Sequence, residues 1–333
     1  DAALDRLALA SELHQDEATD QVMMIARMLE SLIMIRAGRF FEAEGVATDV
    51  LSETLRLQGP RNINTIVSRE RLVEVKANLN RLDEAERLAR ENLAVTLDWL
   101  GRDDPHTVSA QATLSILLAE RGQVEESLAL LDDAIEGAEQ AFPPEAPNAL
   151  VLKVNRAARY LELGRTERAI ELGEAVAEQL ANSPAPVGQI SWLNSLNLAE
   201  AYYQIGQFDV SSERAGAMRL EIQAAVGDAH PLTQIAASYE GAALSRLGRF
   251  DEAAALLDPA VDHLSATLGE SDAQTLMALG WQALNLDGLG QAGDARAQMT
   301  STLASARAEL GDDHYRVRDL ERLASRLLPA ETP

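Results

Sequence analysis

The residue patterns that could do chemistry are few, and each has a structural explanation. One Gly-x-Gly-x-x-Gly pattern runs from Gly288 to Gly293, and this pattern cradles a dinucleotide when it follows a strand and opens a helix. Here it follows a predicted helix, so we interpret it as a turn. The five histidines show no His-Glu-x-x-His spacing. His230 and His314 stand at equivalent positions before two predicted helices, where capping is the expected role.

No assembled catalytic motif is present in the sequence. The chain has no cysteine, which excludes a thiol nucleophile, an Fe-S cluster and Cys-ligated zinc. There is no Gly-x-Ser-x-Gly elbow and no Gly-x-x-x-x-Gly-Lys phosphate loop. The paired aspartates at 132–133 and 312–313 are explained by solvation or by the helix dipole. The sequence therefore predicts a protein that is not an enzyme and that uses no cofactor and no metal.

Charge restricts the kinds of partner. The 333 residues include 53 Asp and Glu against 29 Lys and Arg, a formal net charge of -24. Such a surface repels phosphate backbones, so nucleic acid and anionic membranes are not expected partners. A basic and apolar protein segment suits it better. No apolar stretch approaches the ~20 residues of a membrane helix, so we expect no membrane insertion by this segment.

The elements that position these residues follow a strict internal repeat. Six glycines and one asparagine recur every 42 residues without insertion or deletion: Gly38, Asn80, Gly122, Gly164, Gly206, Gly248 and Gly290. Each lies between two stretches whose apolar residues recur at steps of three and four, which indicates helices. Glycine and asparagine tolerate the left-handed conformation that ends a helix. The repeating unit is therefore predicted to be a helical hairpin.

Small residues at fixed positions indicate that the two helices of each hairpin pack closely. One set stands five residues after each anchor: Ala43, Ala85, Ser127, Ala169, Ser211, Ala253 and Ala295. The other set stands seven residues before each anchor, and Val73 is its largest member: Ser31, Val73, Ser115, Ala157, Ala199, Gly241 and Ala283. A leader such as Gly101 to Thr107 or Gly227 to Thr233 precedes most first helices and ends the previous helix. Residues 182–188 keep the register but lose this leader, and we expect a local irregularity or hinge there.

The register predicts the helix bounds. First helices are expected at 21–37, 63–79, 105–121, 147–163, 189–205, 231–247 and 273–289, and second helices at 40–57, 82–99, 124–141, 166–181, 208–225, 250–267 and 292–309. Residues 1–14 have the phase of a second helix without its partner, and 313–327 that of a C-terminal capping helix. We therefore expect one domain over 1–333, with seven repeats over 21–309, as a fragment of a longer protein.

The repeat resembles the tetratricopeptide repeat family. The turn Gly248-Arg249-Phe250-Asp251-Glu252-Ala253 and the small residues carry the resemblance, and the 42-residue period with its His-Pro leader is similar to the kinesin-light-chain variety. HEAT and armadillo repeats share the period but not this turn and leader. The resemblance implies an all-α, right-handed superhelical solenoid whose first helices line a concave groove that binds peptides or protein segments.

The family's groove positions can be transferred residue by residue. Asn155 and Asn197 fall where related repeats carry an asparagine that holds the ligand backbone, and the same positions elsewhere include Arg71, Tyr239 and Trp281. Leu29 and Thr113 stand at the same position in two other repeats, and we expect Asn155 and Asn197 to be exposed. Neighbouring groove positions carry Glu70, Glu74, Glu200 and Tyr203, together with Ile116 among others. Each also has a structural reading as core or solvated surface. The Lys and Asn of the family's carboxylate clamp are absent, so recognition of an acidic C-terminus is not expected.

Three functions remain open at this point. The resemblance favours a sensor or scaffold that binds peptides, as in the C-terminal regions of bacterial serine/threonine kinases or in transcriptional regulators. The first alternative is an assembly scaffold that oligomerises through its outer face, and the second is an enzyme. The compartment stays open between periplasm and cytoplasm, since the absence of cysteine fits both.

Overall fold

The computed structural model describes residues 17–36, 39–143, 146–182 and 188–328, apart from the side chains of residues 17–23 and 36. The chain divides into two compact units, Asp1–Pro144 and Glu145–Pro333. All regular structure in the described ranges is helical, with no strand, which confirms the all-α prediction. None of the described helices combines the length and apolarity needed to cross a bilayer. That all repeats form one continuous right-handed superhelix stays a prediction, and residues 1–14 lie outside the described ranges.

The first unit contains three helical hairpins. Their helices are α1 (Glu17–Arg36), α2 (Phe40–Gln58), α3 (Ile63–Asn78), α4 (Leu82–Trp99), α5 (Pro105–Glu120) and α6 (Val124–Ala141). Each helix packs on the next along the chain, and the first helices α1, α3 and α5 also contact one another in order. The first helices therefore share one face of this unit.

The second unit contains four hairpins and a final helix. Its helices are α7 (Pro147–Glu162), α8 (Thr166–Ala181), α9 (Gly188–Gln204), α10 (Phe208–Val226), α11 (Pro231–Arg246), α12 (Phe250–Thr267), α13 (Ala273–Gly288), α14 (Ala292–Leu310) and α15 (Tyr315–Ala324). The same contact pattern holds, and α15 packs on both α14 and α13. Every predicted helix end within the described ranges lies within four residues of the observed one.

Local backbone chemistry explains these bounds. The anchor residues take positive φ, from 56° at Asn80 to 84° at Gly290, as a left-handed helix end requires; Gly38 lies outside the described ranges. At the other end of the first helices, Asp104 accepts a hydrogen bond from the His106 N–H at 2.8 Å. His230 and His314 accept through Nδ1 from the N–H two residues on, each at 3.2 Å. The predicted capping role of these histidines is confirmed.

The small residues pack at the hairpin contacts as expected. Ala43, Ala85, Ala253 and Ala295 are completely buried. Ser127 and Ser211 replace alanine at this position and donate across the hairpin to the carbonyls of Ser115 and Ala199, at 2.6 and 2.8 Å. A Cβ added to Gly241 would lie 2.8 Å from Leu257 Cγ, so the close approach of α11 and α12 needs glycine there.

Candidate functional site

The first-helix face of the first unit carries an open hollow of about 420 Å³ between α3 and α5. Its wall on α3 includes Glu70, Arg71 and Glu74, and its wall on α5 includes Thr113, Ile116 and Glu120. All three predicted site residues of this unit therefore lie at one cavity. We call it the α3–α5 hollow.

The α3–α5 hollow combines acidic and apolar character. Its three carboxylates outnumber the single guanidinium of Arg71, which pairs with Glu74 at 3.0 Å while both side chains stay about one third exposed. Ile116 is 44% exposed on the opposite wall. On the preceding first helix α1, Leu29 occupies the same repeat position as Arg71 and Thr113 and is also half exposed. Exposed apolar side chains and carboxylates therefore occur together on this face.

Glu70 is the most perturbed group of the α3–α5 hollow. Burial raises the pKa of its carboxyl to about 7, and Arg71 and the Ser109 hydroxyl only partly oppose that shift. Its Oε1 is buried and accepts no hydrogen bond from any residue in the described ranges. An unsatisfied buried acceptor is costly, and a donor supplied by a ligand would remove that cost.

In the second unit, three of the predicted groove residues, Glu200, Tyr239 and Trp281, are buried in the interior. Glu200 is 9% exposed, and Tyr239 and Trp281 are 2% exposed. Tyr239 donates to Glu200 Oε2 at 2.5 Å, and the Tyr239 and Trp281 rings lie 4.8 Å apart between centroids. These side chains were expected to face a ligand, but they contact one another and the chain's own final helix. Any role of these residues in binding stays a prediction.

The final helix α15 reaches into this interior through Arg316. Its side chain is 4% exposed, and its guanidinium binds Glu200 with both amino groups, at 2.6 and 3.1 Å. Arg318 donates to the Glu162 carbonyl on α7 at 3.1 Å. Burial raises the pKa of Glu162 to about 7 and that of Asp319 to about 6. The helix predicted as a cap therefore also contacts the first helices of earlier repeats.

Sequence reasoning missed Arg316 and Asp319, although a signal exists for each. An arginine in the first turn of a helix is unfavourable next to the positive end of the helix dipole, which suggests another role for it. Asp319 stands where the four preceding repeats have apolar residues: Val151, Leu193, Ile235 and Met277. A charge at an apolar repeat position indicates a buried polar contact.

The two predicted asparagines differ from the expectation that both are exposed. Asn155 and Asn197 are each only partly exposed. The Asn197 amide donates to the Val154 carbonyl in the preceding repeat at 3.0 Å. That contact uses one of its donors for inter-repeat packing, because the first helices α7 and α9 lie against each other. The ligand-holding role of both residues remains untested.

Comparison with known proteins agrees with the fold. The tetratricopeptide repeat family model matches residues 107–148, one period of the repeat. No curated protein matches the chain. Within the described ranges, no three His, Asp or Glu side chains gather as metal ligands.

Several solved structures have similar folds. A putative kinesin light chain with nearly identical TPR-like repeats from Podosopora anserina has a TM-score of 0.54 and 19% identity, over 64% of this chain and 99% of that one. NprR in complex with its cognate peptide NprX has a TM-score of 0.63 and 13% identity, over 96% of this chain and 89% of that one. The apo form of the quorum sensor NprR from B. thuringiensis has a TM-score of 0.62 and 12% identity, over 96% of this chain and 92% of that one. The predicted resemblance to the tetratricopeptide repeat family is confirmed.

Proposed function

We propose that this protein is a peptide-binding module and that the α3–α5 hollow of its first unit is the binding site. The observation that carries the proposal is the buried, unbonded Oε1 of Glu70 at the wall of an open hollow whose other wall exposes Ile116. Extended ligands suit such a site because helical repeats supply a long surface. The fold it shares with NprR, solved with its cognate peptide, supports the same function.

The chemistry of the hollow supports a basic and apolar ligand. The lining includes three carboxyl groups, Glu70, Glu74 and Glu120, and one guanidinium, that of Arg71. Even with Glu70 half protonated near its pKa of about 7, a lysine or arginine side chain is favoured over an acidic one. Ile116 and Leu29 offer apolar contacts on the same face. The net charge of -24 further attracts cationic segments from a distance. The ligand is therefore a basic and apolar peptide segment.

The test is peptide selection followed by calorimetry. A phage-displayed dodecapeptide library panned on the whole chain should enrich Lys or Arg together with Leu or Ile. Titration of a selected peptide should show that Glu70→Gln binds it at least about tenfold more weakly than the unmodified protein does. A charge-assisted hydrogen bond contributes roughly 1.5–3 kcal/mol, which corresponds to such a loss. Glu139→Gln, an exposed carboxylate on α6, is the matched control. Enrichment of acidic peptides, or equal affinity in Glu70→Gln, would contradict the proposal.

The pH dependence of binding gives a second readout. A cationic group binds the ionised form of Glu70, whose pKa is raised to about 7. Affinity should therefore rise between pH 6 and pH 8, with a proton released on binding, and this rise should be smaller in Glu70→Gln. A flat profile in the unmodified protein would count against a role for Glu70.

The finer predictions concern cellular context. A regulatory role beside a bacterial serine/threonine kinase, or in a transcriptional regulator, is supported by the family resemblance alone. Light scattering at micromolar concentration tests the scaffold alternative. A monomer that binds the selected peptide supports the binding module, whereas an oligomer without peptide affinity supports the scaffold.

A further inference from the structure

A second, smaller cavity lies inside the second unit and has the opposite electrostatic character. Its volume is about 120 Å³, and its lining includes Tyr203, Arg246, Trp281, Arg316, Arg322 and Arg326. Glu200 and Asp319 are the only carboxylates among its lining residues. Four guanidinium groups thus meet two carboxylates, a local surplus of two positive charges in a chain whose net charge is -24. We call it the arginine pocket.

The two carboxylates of the arginine pocket already have partners. Glu200 accepts from both amino groups of Arg316 and from the Tyr239 hydroxyl. Asp319 accepts from Arg322 at 3.0 Å. Arg246 lies instead over the Phe208 ring, 4.3 Å from its centroid, and neither it nor Arg326 forms a salt bridge with a carboxylate in the described ranges. The unpaired positive charge of the pocket therefore belongs to Arg246 and Arg326.

Two neutral donors in the arginine pocket also lack acceptors. The Trp281 side chain is 2% exposed and its Nε1 is buried without a hydrogen-bond partner among the described residues. The Tyr203 hydroxyl is also buried and makes no hydrogen bond of normal geometry to any described residue. The centroids of the Tyr203 and Trp281 rings lie 5.9 Å apart. Burial raises the pKa of Tyr203, and the nearby charges of Arg246 and Arg326 oppose the shift. A Trp N–H and a guanidinium can only donate. The Tyr203 oxygen is the one neutral acceptor among these groups, and both Arg246 and Trp281 act on it, so the donors outnumber the acceptors.

We infer that the arginine pocket binds an oxyanion, the carboxylate or phosphate group of a small ligand. Only a group with several acceptor oxygens and negative charge can accept from Trp281, Tyr203, Arg246 and Arg326 together. The volume of about 120 Å³ accommodates such a group but not a whole peptide segment. The pocket lies in the second unit, whereas the α3–α5 hollow belongs to the first.

The experiment uses the whole chain with inorganic phosphate and with acetate as probes, at constant ionic strength adjusted with chloride. Trp281 should report binding through a saturable change in tryptophan fluorescence. Arg246→Gln and Tyr203→Phe should each lower the affinity for the tighter-binding probe about tenfold, because each variant removes one charge-assisted or buried hydrogen bond. Arg296→Gln, an exposed arginine on α14, is the matched control and should bind as the unmodified protein does.

The two probes also distinguish the source of the oxyanion. Stronger saturation with phosphate indicates a phosphorylated ligand, and stronger saturation with acetate indicates a carboxylate ligand. A fluorescence change that does not saturate with either probe would overturn the inference. Equal binding by Arg246→Gln and Tyr203→Phe, with folding shown intact by circular dichroism, would overturn it as well.

Discussion

Replacing Arg316 by methionine tests whether α15 is held in the second unit by its buried ion pair. Arg316 is 4% exposed and Glu200 is 11% exposed as side chains, so removing the guanidinium leaves a carboxylate without its main partner. Breaking a buried pair in this way costs roughly 3–5 kcal/mol. The Tyr239 hydroxyl still donates to Glu200, which favours the lower end of that range.

Urea unfolding followed by tryptophan fluorescence measures the effect. Trp192 and Trp281 lie in the second unit, so a Trp99→Phe background reports on that unit alone. With a slope of about 2 kcal/mol per molar urea, the midpoint of Arg316→Met should fall by roughly 1.5 M. Arg296→Met is the matched control and should leave the midpoint unchanged.

A double-mutant cycle then separates the pair from its parts. Arg316→Met combined with Glu200→Met should recover most of the lost stability, because a buried ion pair replaced by apolar residues is often neutral. A loss of less than about 1 kcal/mol in Arg316→Met, or simple addition of the two single losses, would refute the reasoning.

Three further predictions follow from individual contacts. Burial raises the pKa of Glu162 from 4.5 to about 7, so the folded state holds this proton more tightly than the unfolded state does. The tighter proton binding contributes up to about 3 kcal/mol to the free energy of unfolding. This contribution is fully present below pH 4.5 and is lost as the pH rises through 7. Thermal midpoints at pH 5 and pH 8 should therefore differ less in Glu162→Gln than in the unmodified protein, and an identical difference would argue against the burial of this carboxyl. Asn197→Ala should lower the free energy of unfolding by about 1 kcal/mol through loss of its bond to the Val154 carbonyl. In the same urea assay Asn155→Ala should cost less, and the reverse order would contradict the packing described. Ala253→Arg should destabilise by a few kcal/mol, because the alanine is completely buried at a hairpin contact. Asp251→Arg, at an exposed position on the same helix, should change the calorimetric melting temperature little, and equal effects of the two arginines would exclude the predicted contact.

The helices could be predicted closely because their ends depend on local chemistry. Asn80 and the anchor glycines end helices through a backbone conformation that few other residues adopt. Asp104, His230 and His314 begin helices through hydrogen bonds to residues two positions away. Such contacts recur in each repeat, so the register alone locates them. The chain divides into two units after Pro144, although the 42-residue register continues across this point. The three prolines between 143 and 147 are a signal for the division that the register did not use.

The candidate sites could be predicted only in part. Glu70, Arg71 and Glu74 come together as expected because they lie on one face of one helix. The surroundings of Glu200 depend on Arg316, which is 116 residues away in sequence, and no repeat pattern predicts that contact. Asn197 is less exposed than expected for a related reason, because its amide donates to a main-chain carbonyl of the preceding repeat. Contacts that occur once in the chain are not visible in a periodic signal.

Site-specific photo-crosslinking tests most directly whether peptides bind at the α3–α5 hollow. A benzoylphenylalanine replaces Ile116 in the hollow or, as a matched control, Leu97 on the second helix α4; the two native side chains are 44% and 43% exposed. Irradiation with a peptide selected for binding should give a crosslinked product from position 116 that excess unlabelled peptide abolishes, and none from position 97. Crosslinking at 97 alone, or equal crosslinking at both positions, would contradict the account.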